Sequence, residues 1–231
     1  TVPSRRERRP AFLDSPVTRA LLAVDATLIA ANLALSALAK ADLLIERVPD
    51  LWRLETESNL GAWWNMGQWA ALIALCAWAA RRGLGALPTA LAAIFAMLLA
   101  DDALELHERV GFALARRLEF GSLLNLQPYD LGELCAAAGE GVLLALALFW
   151  AWRRRGPGDA RRLAAFVGLF ALLGLVGVVL DALHSAVWSW RYAEYIVGVA
   201  EDGGEMIVGS LMLAYAWSQF GPRAPRPVPS A

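Results

Sequence analysis

The sequence predicts an all-α membrane protein, a bundle of six transmembrane helices with both termini in the cytoplasm. Of its 231 residues 58% are hydrophobic, and the mean hydropathy is +0.46, more apolar than is usual for a soluble domain. Apolar runs near the ~20 residues needed to cross a bilayer recur along the chain. Arginine is concentrated in alternate connections between those runs, as in multi-pass proteins of one fixed orientation.

The apolar runs divide the chain into a transmembrane domain and two tails. We place the spans at about 18–40, 59–80, 86–106, 131–152, 162–184 and 196–218. The second, third and fifth contain long uncharged stretches, whereas the fourth and sixth have acidic residues in their first halves and the first contains Asp25. The domain so defined covers 17–219, between a basic cytoplasmic tail, 1–16, and a Pro-rich cytoplasmic tail, 220–231.

Arginine and tryptophan positions predict the orientation. Arginines precede the first span, fill the turn between spans two and three, form the loop between spans four and five, and follow the last span. The positive-inside rule places these four segments in the cytoplasm. Tryptophans near both interfaces agree: Trp63, Trp64, Trp188 and Trp190 on the outer side, and Trp78, Trp150, Trp152 and Trp217 on the inner side. We therefore expect a multi-pass inner-membrane protein surrounded by lipid.

Charge and cysteine content exclude other classes. The net charge of −1 provides no basic surface for nucleic acid. Cys76 and Cys135 lie inside apolar runs, which argues against a disulfide framework or a cysteine metal site.

Acidic residues collect in the outer layer of the predicted bundle. Five of the six spans contribute them there, together with both histidines: Glu57, Asp101, Asp102, Glu105, His107, Glu108, Glu133, Glu140, Asp181, His184, Glu201, Asp202 and Glu205. The exception is Asp25, lower in the first span, for which we expect pairing with Arg19 or a place at the cytoplasmic interface. An acid within the bilayer costs about 3 kcal/mol. The acids should therefore face the bundle interior and one another.

Helical spacing predicts which of these side chains share a face. At about 100° per residue, Asp101, Glu105 and Glu108 fall on one face and His107 points away from them. Spacing alone therefore favours a surface or packing role for His107. The same rule places three other pairs on common stripes: Glu133 with Glu140, Asp181 with His184, and Glu201 with Glu205.

Clustered carboxylates need basic partners, shared protons or bound metal, because like charges close together resist ionisation. Few basic residues lie at this depth, since Arg109 and Arg191 are at the rim. We therefore predict a site for one divalent metal ion or two. Carboxylates with imidazole suit iron, manganese or zinc, and carboxylates alone suit calcium. The predicted ligands are Glu57, Asp101, Asp102, Glu105, His107, Glu108, Glu140, Asp181, His184, Glu201, Asp202 and Glu205.

Three short motifs resemble those of a family of uncharacterised bacterial multi-pass membrane proteins. They are E-S-N-L-G-A-W at 57–63, D-D-x4-H-E at 101–108 and E-D-x2-E-M at 201–206, where the family patterns read roughly E-G-N-L-x-x-W, L-D-E-x4-H-E and L-E-E-x2-E-M. Asp102 and Asp202 stand where that family has Glu, which keeps the charge but shortens its reach. The resemblance implies that all three motifs belong to one site, His107 included, and it implies no activity. A ceramidase-like site needs three histidines, and this chain has two.

The sequence leaves three functions open and does not decide whether the chain is an enzyme. A bound metal would activate water or oxygen against a lipid-soluble or periplasmic substrate, giving a hydrolase or an oxidoreductase whose catalytic residues the sequence does not identify. Alternatively, the chain is a non-catalytic accessory subunit that packs against other membrane subunits. The third is cation or proton translocation, for which the inner halves of the spans offer no polar relay beyond Asp25.

Overall fold

The computed structural model describes residues 12–41, 49–54, 59–123, 126–186 and 191–222, and this part of the chain is all-helical, as predicted. Its helices are α1 (Pro16–Lys40), α2 (Leu60–Arg81), α3 (Ala86–Leu104), α4 (Leu106–Leu118), α5 (Pro128–Arg153), α6 (Asp159–Gly174), α7 (Leu180–Ala186) and α8 (Arg191–Phe220). A π-helical turn, Leu175–Val179, joins α6 to α7 in one continuous rod. Short 3₁₀ turns form at Phe12–Asp14 and Asp50–Trp52.

Local capping residues fix where the helices begin. Asn59 accepts a hydrogen bond from the backbone N–H of Ala62 at 2.9 Å and starts α2, and Ser15 caps α1 in the same way. At the start of α5, the Asp130 carboxylate accepts from the backbone N–H of Gln127 at 2.6 Å, in a capping box. Such caps satisfy N–H groups that have no partner within the helix. With its capping box, α5 begins at Pro128, three residues before the start of the predicted span at 131.

Four helical segments are long and apolar enough to cross a membrane. They are Pro16–Lys40, Ala86–Leu104, Pro128–Arg153 and Asp159–Ala186. α2 and α8, the other two predicted spans, are not among them; α2 contains Asn65 and Gln68, and α8 contains Glu201, Asp202 and Glu205. These two helices contribute Asn65, Glu201, Asp202 and Glu205 to the polar lining of the cavity described below.

The predicted third span is interrupted. Glu105 adopts the left-handed conformation, with φ 51° and ψ 45°, so α3 ends at Leu104 and the chain restarts as α4 in a new direction. α4 then packs on the first turns of α5, where Gly111 and Gly132 meet backbone to backbone. The polar stretch that follows the third apolar run is therefore largely a separate amphipathic helix.

An aromatic core holds the helices together on one side of the cavity described below. Trp69 of α2 stacks on Phe95 of α3 with 5.8 Å between ring centroids, and Phe95 lies 5.7 Å from Phe170 of α6. Phe166 of α6 in turn stacks on Phe220 at the end of α8. α8 packs on α1, α2, α6 and α7, whereas α5 and α6 contact each other only sparsely.

Candidate functional site

A cavity of about 670 Å³ lies between α2, α3, α5, α8 and the α6–α7 rod. Ten carboxylates and two imidazoles line it: Asp101, Asp102, Glu105, Glu108, Glu133, Glu140, Asp181, Glu201, Asp202 and Glu205, with His107 and His184. The lining residues in the described part of the chain include neither lysine nor arginine. Acids from five helices, α3, α4, α5, α7 and α8, therefore face one space, and no lysine or arginine is among its described lining residues.

His107 pairs with Asp101 on one wall of the cavity. Its Nδ1 atom lies 2.8 Å from Asp101 Oδ2, and its backbone N–H donates to Asp101 Oδ1 at 2.8 Å. The carboxylate thus holds both the ring and the first turn of α4. The hydrogen bond to Asp101 raises the pKa of His107 from 6.5 to about 9, against the opposing effect of burial. The ring is therefore a cation at neutral pH when no metal is bound.

The prediction that His107 points away from the acidic face was wrong. It assumed a continuous helix through residues 101–108, whereas the left-handed Glu105 breaks that helix and turns His107 back toward Asp101. The same break removes Glu105 from the face it was expected to share with Asp101. Glu105 instead lies 3.6 Å from the Arg109 guanidinium in an exposed ion pair at the cavity rim.

His184 and Glu201 form a second imidazole–carboxylate pair. The Nδ1 atom of His184 on α7 lies 3.0 Å from Glu201 Oε2 on α8. The ring packs over Gly198, where a Cβ atom would lie 3.1 Å from its Cε1 atom. The absence of a side chain at position 198 thus lets the imidazole lie close to α8 and reach Glu201.

Glu205 lies against the π-helical turn. A Cβ atom built on Gly177 would collide with Glu205 Oε1, so the carboxylate occupies the space that a side chain would need. π-Turns are rare and occur frequently at functional sites. Here the turn lies beside the Glu205 carboxylate, inside the cavity.

Asp102 has a partner that the sequence did not suggest. Its Oδ2 atom accepts a hydrogen bond from Trp69 Nε1 at 2.7 Å, and Trp69 itself is buried. Trp69 lies nine residues into α2, away from both predicted tryptophan belts. A tryptophan at that depth was the available signal, because its N–H needs a partner when buried.

Asp25 is not paired with Arg19, contrary to expectation. Arg19 donates to the backbone carbonyl of Asp14 at 2.9 Å, whereas Asp25 accepts from Trp64 Nε1 at 2.7 Å and is fully buried. Trp64, predicted to anchor the outer interface, therefore also links α2 to α1.

The structure brings the predicted site residues together but does not arrange them as a finished metal centre. Eleven of the twelve predicted ligands line the cavity. The twelfth, Glu57, lies outside the described residues. Within the described ranges, no three His, Cys, Asp or Glu side chains are grouped so that they could hold a metal ion. Metal ligation therefore stays a prediction, and the imidazole–carboxylate pairs are what the geometry provides.

The His107–Asp101 pair predicts a pH dependence of stability in metal-free protein. Because the folded-state pKa of His107 is raised to about 9, the pair stabilises the fold fully below about pH 6.5, and this stabilisation disappears as the pH rises through 9. The half-exposed ring limits the effect to about 2 °C in Tm. Thermal unfolding in EDTA at pH 7 and pH 10 should show that extra loss in the wild type and not in His107→Gln. Equal losses in both proteins would contradict the pairing.

Comparison with known proteins identifies a family that the chain matches over most of its length. A family model described as a domain of unknown function (DUF8692) matches residues 20–219. No curated protein and no solved structure matches the chain. The matched range contains every residue that lines the cavity.

Proposed function

The chain belongs to this family of unknown function, and we propose that it is a six-span membrane protein that binds divalent metal ions in its outer cavity. Four apolar helical segments support a membrane location, and the arginine distribution supports cytoplasmic termini. With that orientation the cavity lies toward the periplasmic side of the bacterial inner membrane. The observation that carries the proposal is a cavity lined by ten carboxylates and two imidazoles, with neither lysine nor arginine among its described lining residues.

The charge of this lining favours cation binding. Carboxylates removed from water remain ionised only when a positive charge lies close by. His107 and His184 can each neutralise the negative charge of one carboxylate at most. His107 is already paired with Asp101, and His184 with Glu201. The remaining lining acids outnumber the charges that these two rings supply. A divalent ion provides that compensation and also matches the oxygen-rich lining.

The two imidazoles are oriented as metal-binding histidines commonly are. In both pairs the carboxylate engages Nδ1, so Nε2 is the ring nitrogen that remains for a ligand. A carboxylate on the second nitrogen fixes the ring and raises its basicity, as in many metal sites. Imidazole together with carboxylate favours iron, manganese or zinc over calcium. Because no chelating group of three is assembled among the described residues, binding would require neighbouring carboxylates such as Glu140 or Glu205 to rotate toward a ring.

The cavity also suggests what such a site would act on. Below the acids its walls are apolar, formed by Leu144 and Leu148 of α5 and by Val167 and Phe170 of α6. The sparse contact between α5 and α6 leaves this apolar part close to the lipid. A membrane-soluble amphiphile, with its polar end at the acids, fits this arrangement. A bound metal would supply Lewis acidity and an activated water for hydrolysis, or an oxidising centre.

Metal content tests the proposal directly. Protein purified in detergent, loaded with Mn²⁺, Fe²⁺ or Zn²⁺ and freed of excess metal, is expected to retain about one ion or more per chain. Glu205→Gln removes one carboxylate from the cavity and is expected to reduce that content. Glu119→Gln, at the exposed end of α4, is the matched control and should leave the content unchanged. Less than one ion per chain for every metal, unchanged by Glu205→Gln, would rule the proposal out.

A further inference from the structure

A second group of polar side chains is buried where α1, α2 and α8 meet, beside the acidic cavity. Asp25 of α1 and Ser210 of α8 are fully buried, and Gln68 and Asn65 of α2 are 1% and 6% exposed. Asn65 also lines the cavity, whereas the other three do not. This group, called the α1–α2–α8 cluster, has no role in the proposed metal chemistry.

The hydrogen bonds of the cluster leave only acceptors without partners. Gln68 Nε2 donates to Ser210 Oγ at 2.9 Å and to the Met206 carbonyl at 3.2 Å, and Asp25 Oδ1 accepts from Trp64. Asp25 Oδ2, Asn65 Oδ1 and Gln68 Oε1 are buried without a hydrogen-bond partner. Buried polar atoms are normally satisfied. The atoms of this cluster without a partner are three oxygens, all of them hydrogen-bond acceptors. They therefore indicate a ligand that presents positive charge to them.

The two amide oxygens of the cluster lie close together. Asn65 Oδ1 and Gln68 Oε1 both lie within 3.1 Å of the point that a Cβ atom of residue 209 would occupy. Gly209 therefore leaves space where both amide oxygens meet α8. Asp25 joins them through Ser210, whose hydroxyl interacts with Asp25 and accepts from Gln68.

We propose that the α1–α2–α8 cluster binds one monovalent cation of the size of Na⁺. The Asp25 carboxylate supplies the single negative charge, and the amide oxygens of Asn65 and Gln68 supply neutral ligands, a hard oxygen set suited to such an ion. A water molecule would satisfy the oxygens but leave the buried carboxylate charge uncompensated. A proton on Asp25 would neutralise that charge but leave both amide oxygens without a partner. Asn65 belongs both to the cluster and to the lining of the cavity, so the cluster adjoins the cavity.

Sodium-dependent stability tests the proposal independently of the metal cavity. Thermal unfolding of the full chain in detergent is measured with EDTA present, in 150 mM NaCl and in choline chloride of equal ionic strength. Sodium is expected to raise Tm by about 3–6 °C, because it binds the folded state alone. The EDTA removes divalent ions, so failure of the proposed metal site does not affect this result.

Variants assign the effect to the cluster. Asp25→Asn and Gly209→Ala, whose added methyl group displaces the Gln68 oxygen, are each expected to abolish the sodium-dependent shift. Asp159→Asn is the matched control, since Asp159 is a buried acid on α6 that pairs with Arg162 at 3.3 Å; it should lower Tm and keep the shift. If Asp25→Asn does not fold, binding of radioactive sodium to the wild type and to Gly209→Ala gives the answer.

Two results would overturn the proposal. One is an equal Tm in sodium and choline together with no saturable binding of radioactive sodium to the wild type. A Tm that then depended on pH between 5 and 8 to the same extent in both salts would assign the cluster to a proton. The other is a sodium shift that persists unchanged in both Asp25→Asn and Gly209→Ala, which would place the ion elsewhere.

Discussion

Replacing Gly132 with valine is expected to lower Tm by about 10 °C or to prevent folding. A Cβ atom at position 132 would overlap the carbonyl oxygen of Gly111 and lie 2.7 Å from its carbonyl carbon. In the reverse direction, a Cβ atom on Gly111 would lie 2.6 Å from the backbone nitrogen of Glu133. Because these are backbone atoms, no side-chain rotation relieves the overlap, and α4 must separate from α5.

The same helix provides a matched control. Gly139 also lies on α5, and a Cβ atom there would meet nothing within 4 Å. Gly139→Val should therefore change Tm by only about 2 °C, since valine is slightly better than glycine in a helix. The measurement is thermal unfolding in one detergent, followed by circular dichroism. Equal effects of the two substitutions would show that α4 and α5 do not pack closely at Gly111 and Gly132.

The α4–α5 contact shows what the sequence could and could not predict. The depth of the acids in separate apolar runs was enough to predict that they face one space, because ionised groups avoid lipid. The direction of His107 was not predictable from spacing. It depends on the left-handed conformation of Glu105. Few residues other than glycine adopt this conformation, and a glutamate in the sequence does not predict it.

The π-helical turn could not be predicted from the sequence for a related reason. The run LVGVV at 175–179 is apolar throughout, so its hydropathy is that of an ordinary transmembrane helix. Its only sequence signal is Gly177, and an isolated glycine in a helix does not indicate a π turn. The hydrogen bond from Trp69 to Asp102 was not predicted for a different reason. A buried tryptophan packs against apolar side chains as well as donating a hydrogen bond, so its position in the sequence does not identify its partner.

Replacing Gly177 with alanine is expected to weaken divalent-metal binding at least tenfold while leaving Tm within about 2 °C of the wild type. The added methyl group takes the space of Glu205 Oε1, and the next nearest atom is Glu205 Cδ at 3.4 Å. These atoms are the end of a flexible side chain, so the carboxylate moves at little cost to the fold. The position of the carboxylate in the cavity changes, so Glu205 can no longer complete the proposed metal site. Equilibrium dialysis with Mn²⁺ measures the affinity.

Two further proteins separate the role of the Glu205 carboxylate from a general effect of the methyl group. Gly168→Ala on α6, where a Cβ atom meets nothing within 4 Å, should bind Mn²⁺ as the wild type does. In Gly177→Ala/Glu205→Asp the shorter carboxylate leaves room for the methyl group, so the two substitutions should be non-additive. Additive losses would mean that the methyl group acts elsewhere on the π turn. Wild-type affinity in Gly177→Ala would mean that the metal does not depend on where the Glu205 carboxylate lies, and Glu140 would become the leading carboxylate ligand.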